Sequence, residues 1–280
     1  MQWKLLINNI YYMLSNFSLQ LSDEYKEHHI FEELEEMKNL YEGLSERSSY
    51  FLATGTRTII NYESYYFLSI YGTLDSIKTL LEIGRINDAI VLVRKIFDDI
   101  LTEIYLDVTL KDKYNVFESF YVKEVQQWLD SSFRIPKLKK ILKVLETSPK
   151  TKDLYPYFGW NTYLEHNRHL LDDSVHSNSY SKVLYNCNTV YLGERKVRML
   201  KNISIILNQL MMIHVSFIFH LNPEYLAASD YMDYMEMSMT PPEGSEEWIA
   251  NFAQDAFDRY IKLNAQLADY IKNTCCLQIL

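Results

Sequence analysis

Arg94 stands in an apolar stripe, between Ile90 and the pair Phe97 and Leu101, and Asp98 follows it by four residues. A guanidinium beside the buried face of a helix needs an anionic partner, because burying a lone charge is costly. Asp98, at i, i+4 helical spacing, is the nearest candidate. A second polar constellation runs from Glu165 to Asn178. There Glu165, His169, Asp172 and His176 stand at i, i+4, i+7 and i+11, along one helical face, with Arg168 beside them. Imidazoles and carboxylates so spaced could ligate a transition metal, but H-E-x-x-H is absent, and a polar helix end is the simpler reading. No metal or other cofactor is therefore expected. Arg94 and His176 each sit among apolar neighbours and, if buried, need a partner; the expectation is one shared polar pocket in which Asp98 orients the arginine.

Charge adds a third feature. The chain carries 28 Lys and Arg against 37 Asp and Glu, a net charge of −9. Nine of the acids fall between Asp23 and Arg47 and nine more between Glu224 and Asp258, the latter without any Lys or Arg. Against this background Arg134, Lys137, Lys139, Lys140, Lys143, Lys150 and Lys152 form a basic island whose only acid is Glu146. Such an island could contact phosphates, and any RNA bound is expected to run through Arg134, Lys137, Lys139, Lys140 and Lys143. The plainer reading is a solvated helix face.

Other chemistries lack their residues. No Gly-rich phosphate loop and no G-x-S-x-G nucleophile turn occurs. The three cysteines, Cys187, Cys275 and Cys276, give neither a disulfide framework nor a C-x-x-C knuckle.

The elements that must position these residues are helical. Apolar residues recur every three or four positions at Leu6–Phe17, at Leu34–Leu44, over a long span from about Tyr50 to Ile83, and most clearly from Ile86 to Val108. Gly84 supplies a helix stop, and the short link to Ile86 predicts an antiparallel hairpin at the centre of the fold. Further helices are predicted at Tyr114–Leu129, Pro136–Leu145, Asn161–Leu171, Glu194–His220 and Glu246–Lys272, while Tyr180–Tyr191 could hide a short strand. With only seven glycines and six prolines in 280 residues, a many-stranded sandwich or barrel is disfavoured. The expected architecture is all-α: one helical bundle over residues 1–280. The most lipophilic run, Ile203–Leu221, is interrupted by Asn208, Gln209, His214 and His220, so a buried central helix is expected and no membrane span. The first residues do not read as a secretory signal, and a cytoplasmic location is the expectation.

Two segments carry a family resemblance. The stretch Leu81–Asp98 has Gly84-Arg85, then Ala89, an apolar run and Arg94-x-x-x-Asp98; it is followed later by Leu171-Asp172-Asp173-Ser174-Val175-His176, with Asp172 where the family tends to have Ser. Together they resemble uncharacterised bacterial helical proteins related to the HEPN superfamily, over roughly Tyr50 to Tyr180, with a core spanning about residues 50–220. The resemblance implies a role in phage defence or stress response, as a metal-independent endoribonuclease or as a non-catalytic sensor or binding module of a defence or toxin–antitoxin system. It also implies a homodimer or a cognate protein partner. For the nuclease, Arg94, Asp98, Arg168 and His176 would form the site, His as general acid/base and Arg stabilising phosphorane charge. HEPN nucleases separate Arg and His by four to six residues, whereas seven lie between Arg168 and His176. A different acidic stretch, Asp98 to Glu103, resembles the magnesium-binding motif of class I terpene synthases, but that family's second motif is absent.

Overall fold

The computed structural model describes residues 21–50, 56, 61–115, 117, 121–176, 178–187 and 192–280. The helix expected at Leu6–Phe17 lies outside them. The protein is all-α. In chain order its helices are α1 (Asp23–Lys26), α2 (Ile30–Ser48), α3 (Tyr62–Glu82), α4 (Ile86–Lys113), α5 (Lys123–Leu129), α6 (Leu138–Thr147), α7 (Glu165–Val175), α8 (Tyr180–Leu184), α9 (Glu194–Leu221), α10 (Asp230–Glu236), α11 (Asn251–Ala256) and α12 (Ala265–Thr274). Two π-helical turns, Trp160–Leu164 and Phe257–Ile261, lead out of the 155–159 loop into α7 and continue α11, respectively. Among the described residues, extended pairing is limited to isolated bridges such as Ala227 with Ile249 and Trp248 with Gln278.

α4 organises the bundle, packing against α3, α5, α6, α7 and α9. It is apolar on more than one face: Ile90, Val93, Ile96, Phe97, Ile100, Ile104, Leu106 and Val108 are all buried. Truncating a side chain as enclosed as Phe97 to alanine costs about 3–5 kcal/mol by the usual behaviour of cores. The turn before α4 forms because Gly84 takes φ +75°, letting Gly84 and Arg85 donate to the Leu81 and Leu80 carbonyls at 2.9 and 2.8 Å.

The N-terminus of α4 is capped from a distant segment. Asn186 Oδ1 accepts from the Asn87 and Asp88 amides at 2.9 and 3.3 Å, and Asn186 Nδ2 donates to Asp88 Oδ1 at 2.7 Å. Free helix amides are thus satisfied reciprocally, as in a capping box built across the fold.

The lipophilic helix α9 explains its own interruptions. Asn208 donates to Glu33 Oε1 of α2 at 3.1 Å, and Asn167 of α7 donates to Gln209 Oε1 at 2.6 Å. His214 meets α2 and α4, and His220 Nε2 lies 2.6 Å from the Lys150 carbonyl. Each of the four polar groups faces a partner on a packed neighbour. Among the described residues α9 is the one helix long and apolar enough to cross a membrane, and most of it is buried within the fold.

Several boundaries differ from the sequence expectation for local reasons. α3 starts at Tyr62, because Asn61 is extended and its side chain accepts from the Glu63 amide; Ile59 and Ile60 lie outside the described residues. Within Tyr114–Leu129, only Lys123–Leu129 is helical among the described residues. Tyr180–Leu184 is a helix, not a strand. The long helix expected at Glu246–Lys272 is broken before α11 and again after the π-helical turn that continues it. Residues 248–250 run extended to exchange backbone bonds with Leu226 and Ala228, and Asn264 starts α12 by accepting from the Leu267 amide.

Candidate functional site

The α4–α7 contact brings together three of the four residues singled out for chemistry. Arg94 is almost fully buried, its guanidinium 5.2 Å from the Phe97 ring centre. Its Nε donates to Asp172 Oδ1 at 2.6 Å, and its Nη1 lies 2.5 Å from Asp98 Oδ1. Arg168 approaches the other oxygen of the same carboxylate, Nε to Asp172 Oδ2 at 3.9 Å. Burial opposes the charge on Arg94, but the Asp98 and Asp172 carboxylates outweigh it and hold its pKa above the ordinary value. Two guanidinium groups and two carboxylates make the cluster formally neutral.

α7 presents Asp172 because Leu171 and Ser174, flanking it, are buried, and the Ser174 carbonyl accepts from Asn87 Nδ2 at 3.4 Å. His176 caps α7, its amide bonded to the Asp172 carbonyl at 3.1 Å, and its side chain is exposed. Among the described residues, no hydrogen bond or ion pair joins the His176 side chain to Arg94. The arginine is held by Asp98 on its own helix and by Asp172 across the contact, and Asp172 is one of the four residues whose spacing could ligate a metal. Glu165 and His169 are exposed on α7. Among the described residues no group of three or more His, Cys, Asp or Glu is placed to hold a metal ion.

The basic island is one amphipathic helix and its approach. Ile141, Leu142 and Leu145 anchor α6 against the bundle, while Arg134, Lys137, Lys139, Lys140 and Lys143 are exposed. Lys143 pairs with Glu146 at 3.0 Å. Lys137 is the N-cap and Lys139 and Lys140 lie in the first turn, so three cations crowd the positive end of the helix dipole. That placement weakens the helix and concentrates positive potential at one exposed end.

Sequence reasoning missed a buried polar network on the other side of α4. Glu103 and Asp107 continue the stripe Val93–Ile96–Ile100, and both are fully enclosed. Glu103 Oε2 lies 2.9 Å from His214 Nε2, and the opposite ring nitrogen lies 2.7 Å from the Tyr41 hydroxyl. Asn222 donates to Asp107 Oδ2 at 2.8 Å, and Tyr225 donates to the buried carboxylate of Glu63 in a short bond. Desolvation pushes Glu103 up to about 8 and Asp107 up to about 7, raises Glu63 well above the carboxylate range, and lowers His214 to about 3. At neutral pH His214 is uncharged and Glu103 mostly protonated. The arrangement resembles an acid–base relay in its partners but is sealed from solvent, so it offers no substrate a proton and serves the core. Its signal was legible as two acids at i, i+4 within an apolar stripe.

Compared with protein-family models, curated proteins and solved structures, the chain matches none.

Proposed function

We propose that the chain is a non-catalytic sensor or binding module of a bacterial defence or stress-response system, working in the cytoplasm with a protein partner or a second copy of itself. The observation that carries this reading is the commitment of Arg94. An arginine that stabilises a phosphorane must present an unspent guanidinium to the phosphate, whereas this one bonds Asp172 and lies against Asp98. It ties α4 to α7 instead. The exposed basic helix supports a second contact, with RNA: a short, salt-sensitive footprint on a single-stranded or looped segment, since the net −9 charge repels a long polyanion.

One observation favours the metal-independent ribonuclease as the second reading. Both arginines keep a buried nitrogen without a hydrogen-bond partner, Arg94 Nη1 and Arg168 Nε. Arg168 stands 3.9 Å from its nearest carboxylate, Asp172, whereas Arg94 lies within 2.6 Å of two, so the Arg168 guanidinium is the less spent. With the exposed His176 on the same helix, it would supply the arginine and histidine that such a reaction needs. Expression in a bacterial host separates the two. Growth arrest relieved by His176→Ala supports the enzyme; no arrest, or arrest unchanged by that substitution, supports the module.

A further inference from the structure

Away from both the arginine cluster and the basic helix, a cavity of about 250 Å³ opens between the 157–164 segment, α7, α9 and the start of α12. Its walls are Phe158, Trp160, Leu164, Met212 and Ile213, and the amides Asn167 and Gln209 stand at its polar side. The aromatic wall is pre-arranged. Trp160 Nε1 donates to the Tyr155 carbonyl at 2.7 Å, its ring stacks on Tyr155 at 5.1 Å between centroids, and it meets Phe158 edge-on at 5.4 Å. The π-helical turn Trp160–Leu164 borders this space, supplying Trp160 and Leu164 to its wall. Such turns in α-helical proteins concentrate at functional sites.

We propose that this cavity binds a neutral, planar nitrogen heterocycle of the nucleobase class. Size sets the first limit: a cavity of about 150 Å³ takes benzene, and drug-sized ligands need upwards of about 300 Å³, so one or two rings fit here. The amides set the second. Asn167 and Gln209 share one hydrogen bond of 2.6 Å. Whichever way the two amides are turned, that bond leaves donors and an acceptor uncommitted, and a base edge presents the complementary acceptor and donor. Asn264 adds no such edge, because its carbonyl oxygen is spent on the Leu267 amide. The third limit is charge: no Lys, Arg, Asp or Glu lines the cavity, so the ligand is held by its ring and not by a phosphate. The same base can arrive free, in a nucleoside, or unstacked from RNA.

The test is titration of the full chain with adenine, cytosine, adenosine, benzene and a short single-stranded RNA, by calorimetry and ligand-observed NMR. Saturable binding of a free base is expected, insensitive to salt and unchanged when Lys137, Lys139, Lys140 and Lys143 are reversed to glutamate. It should weaken tenfold or more in Asn167→Leu and in Gln209→Leu, and disappear in Ile213→Trp, which fills the cavity. Met212→Phe serves the same purpose if Ile213→Trp does not fold by circular dichroism. Binding of adenosine at the strength of adenine points to a free ligand; binding of the RNA alone, lost in the cavity-filling variant, points to an unstacked base. Binding of benzene but no base, no saturable binding at all, or base binding that survives a folded cavity-filling variant overturns the proposal. The lysine-reversed variant keeps this outcome separate from that of the RNA reading.

Discussion

Arg94 and Asp172, 78 residues apart, meet at 2.6 Å where α4 packs on α7, and the same carboxylate faces Arg168 on its other side. Removing it leaves a nearly buried guanidinium with Asp98 alone. Asp172→Ala is expected to destabilise the fold by about 1–3 kcal/mol. A double-mutant cycle with Arg94→Met should return a coupling of about 0.5–3 kcal/mol by denaturant unfolding. A coupling near zero would mean that the pair is incidental to the α4–α7 contact.

The cap that Asn186 places on α4 is a second long-range tie. Asn186→Ala should cost about 0.5–2 kcal/mol, the usual range for a lost N-cap. Hydrogen exchange localises the effect: the Asn87 and Asp88 amides, which bond Asn186, should lose protection first. Uniform loss across α4 would contradict this assignment.

Lysines at the wrong end of a helix make stability and binding move in opposite directions. Changing Lys139 and Lys140 to glutamate places acids in the first turn of α6 and should raise stability by a few tenths to about 1 kcal/mol per site. Reversing Lys137, Lys139, Lys140 and Lys143 together should abolish RNA binding and flatten its dependence on salt, since each lost phosphate contact removes about 0.7 from the logarithmic slope for single strands. RNA affinity that survives the fourfold change would reduce the island to a solvated face.

Protons bound in the core set a pH dependence. Glu103, at about 8, Asp107, at about 7, and Glu63 have folded pKa values above their ordinary ones, so the folded chain holds protons that the unfolded chain releases. Stability from these carboxylates is therefore fully present below about pH 4 and is lost as pH rises toward 8. His214, lowered to about 3, acts oppositely and withdraws stability as pH falls from 6.5 toward 3. Lys111, 3.8 Å from Asp107, tempers the carboxylate shift without cancelling it. Between about pH 6.5 and 8 the carboxylates act almost alone, and each proton involved contributes roughly 1.4 kcal/mol per pH unit. The melting temperature should peak on the acid side of neutrality and decline through pH 8, and Glu103→Gln should shallow that decline. A melting temperature flat from pH 6 to 8 would contradict the protonated core.

Helical periodicity made the bundle legible because its longest elements, α3, α4 and α9, repeat apolar residues every three or four positions. It failed where tertiary pairing overrode local propensity. Residues 248–250 leave the helical pattern to bond with Leu226 and Ala228, and no local signal announces a partner some twenty residues upstream. Arg94 was legible as an oddity, and Asp98 as its neighbour in the helix; Asp172 was not, because nothing local assigns a distant carboxylate to a particular guanidinium. The buried network was missed for a different reason. The apolar pattern read along α4 runs Ile86, Ile90, Val93, Phe97, Ile100, Ile104 and Val108 and holds no acid. Glu103 and Asp107 extend its Val93–Ile100 edge, and a helix buried on several faces encloses acids that a one-faced reading assigns to solvent.

The central proposal is that the chain is non-catalytic: its Arg94–Asp172 cluster ties α4 to α7 and RNA is not cleaved. Its most direct test is incubation of the purified chain with single-stranded RNA in the presence of a chelator, read on a denaturing gel beside His176→Ala and Arg168→Ala. The account predicts intact RNA in every lane. Metal-independent cleavage by the unaltered chain that disappears in His176→Ala and in Arg168→Ala would contradict it and establish the α7 residues as a nuclease site.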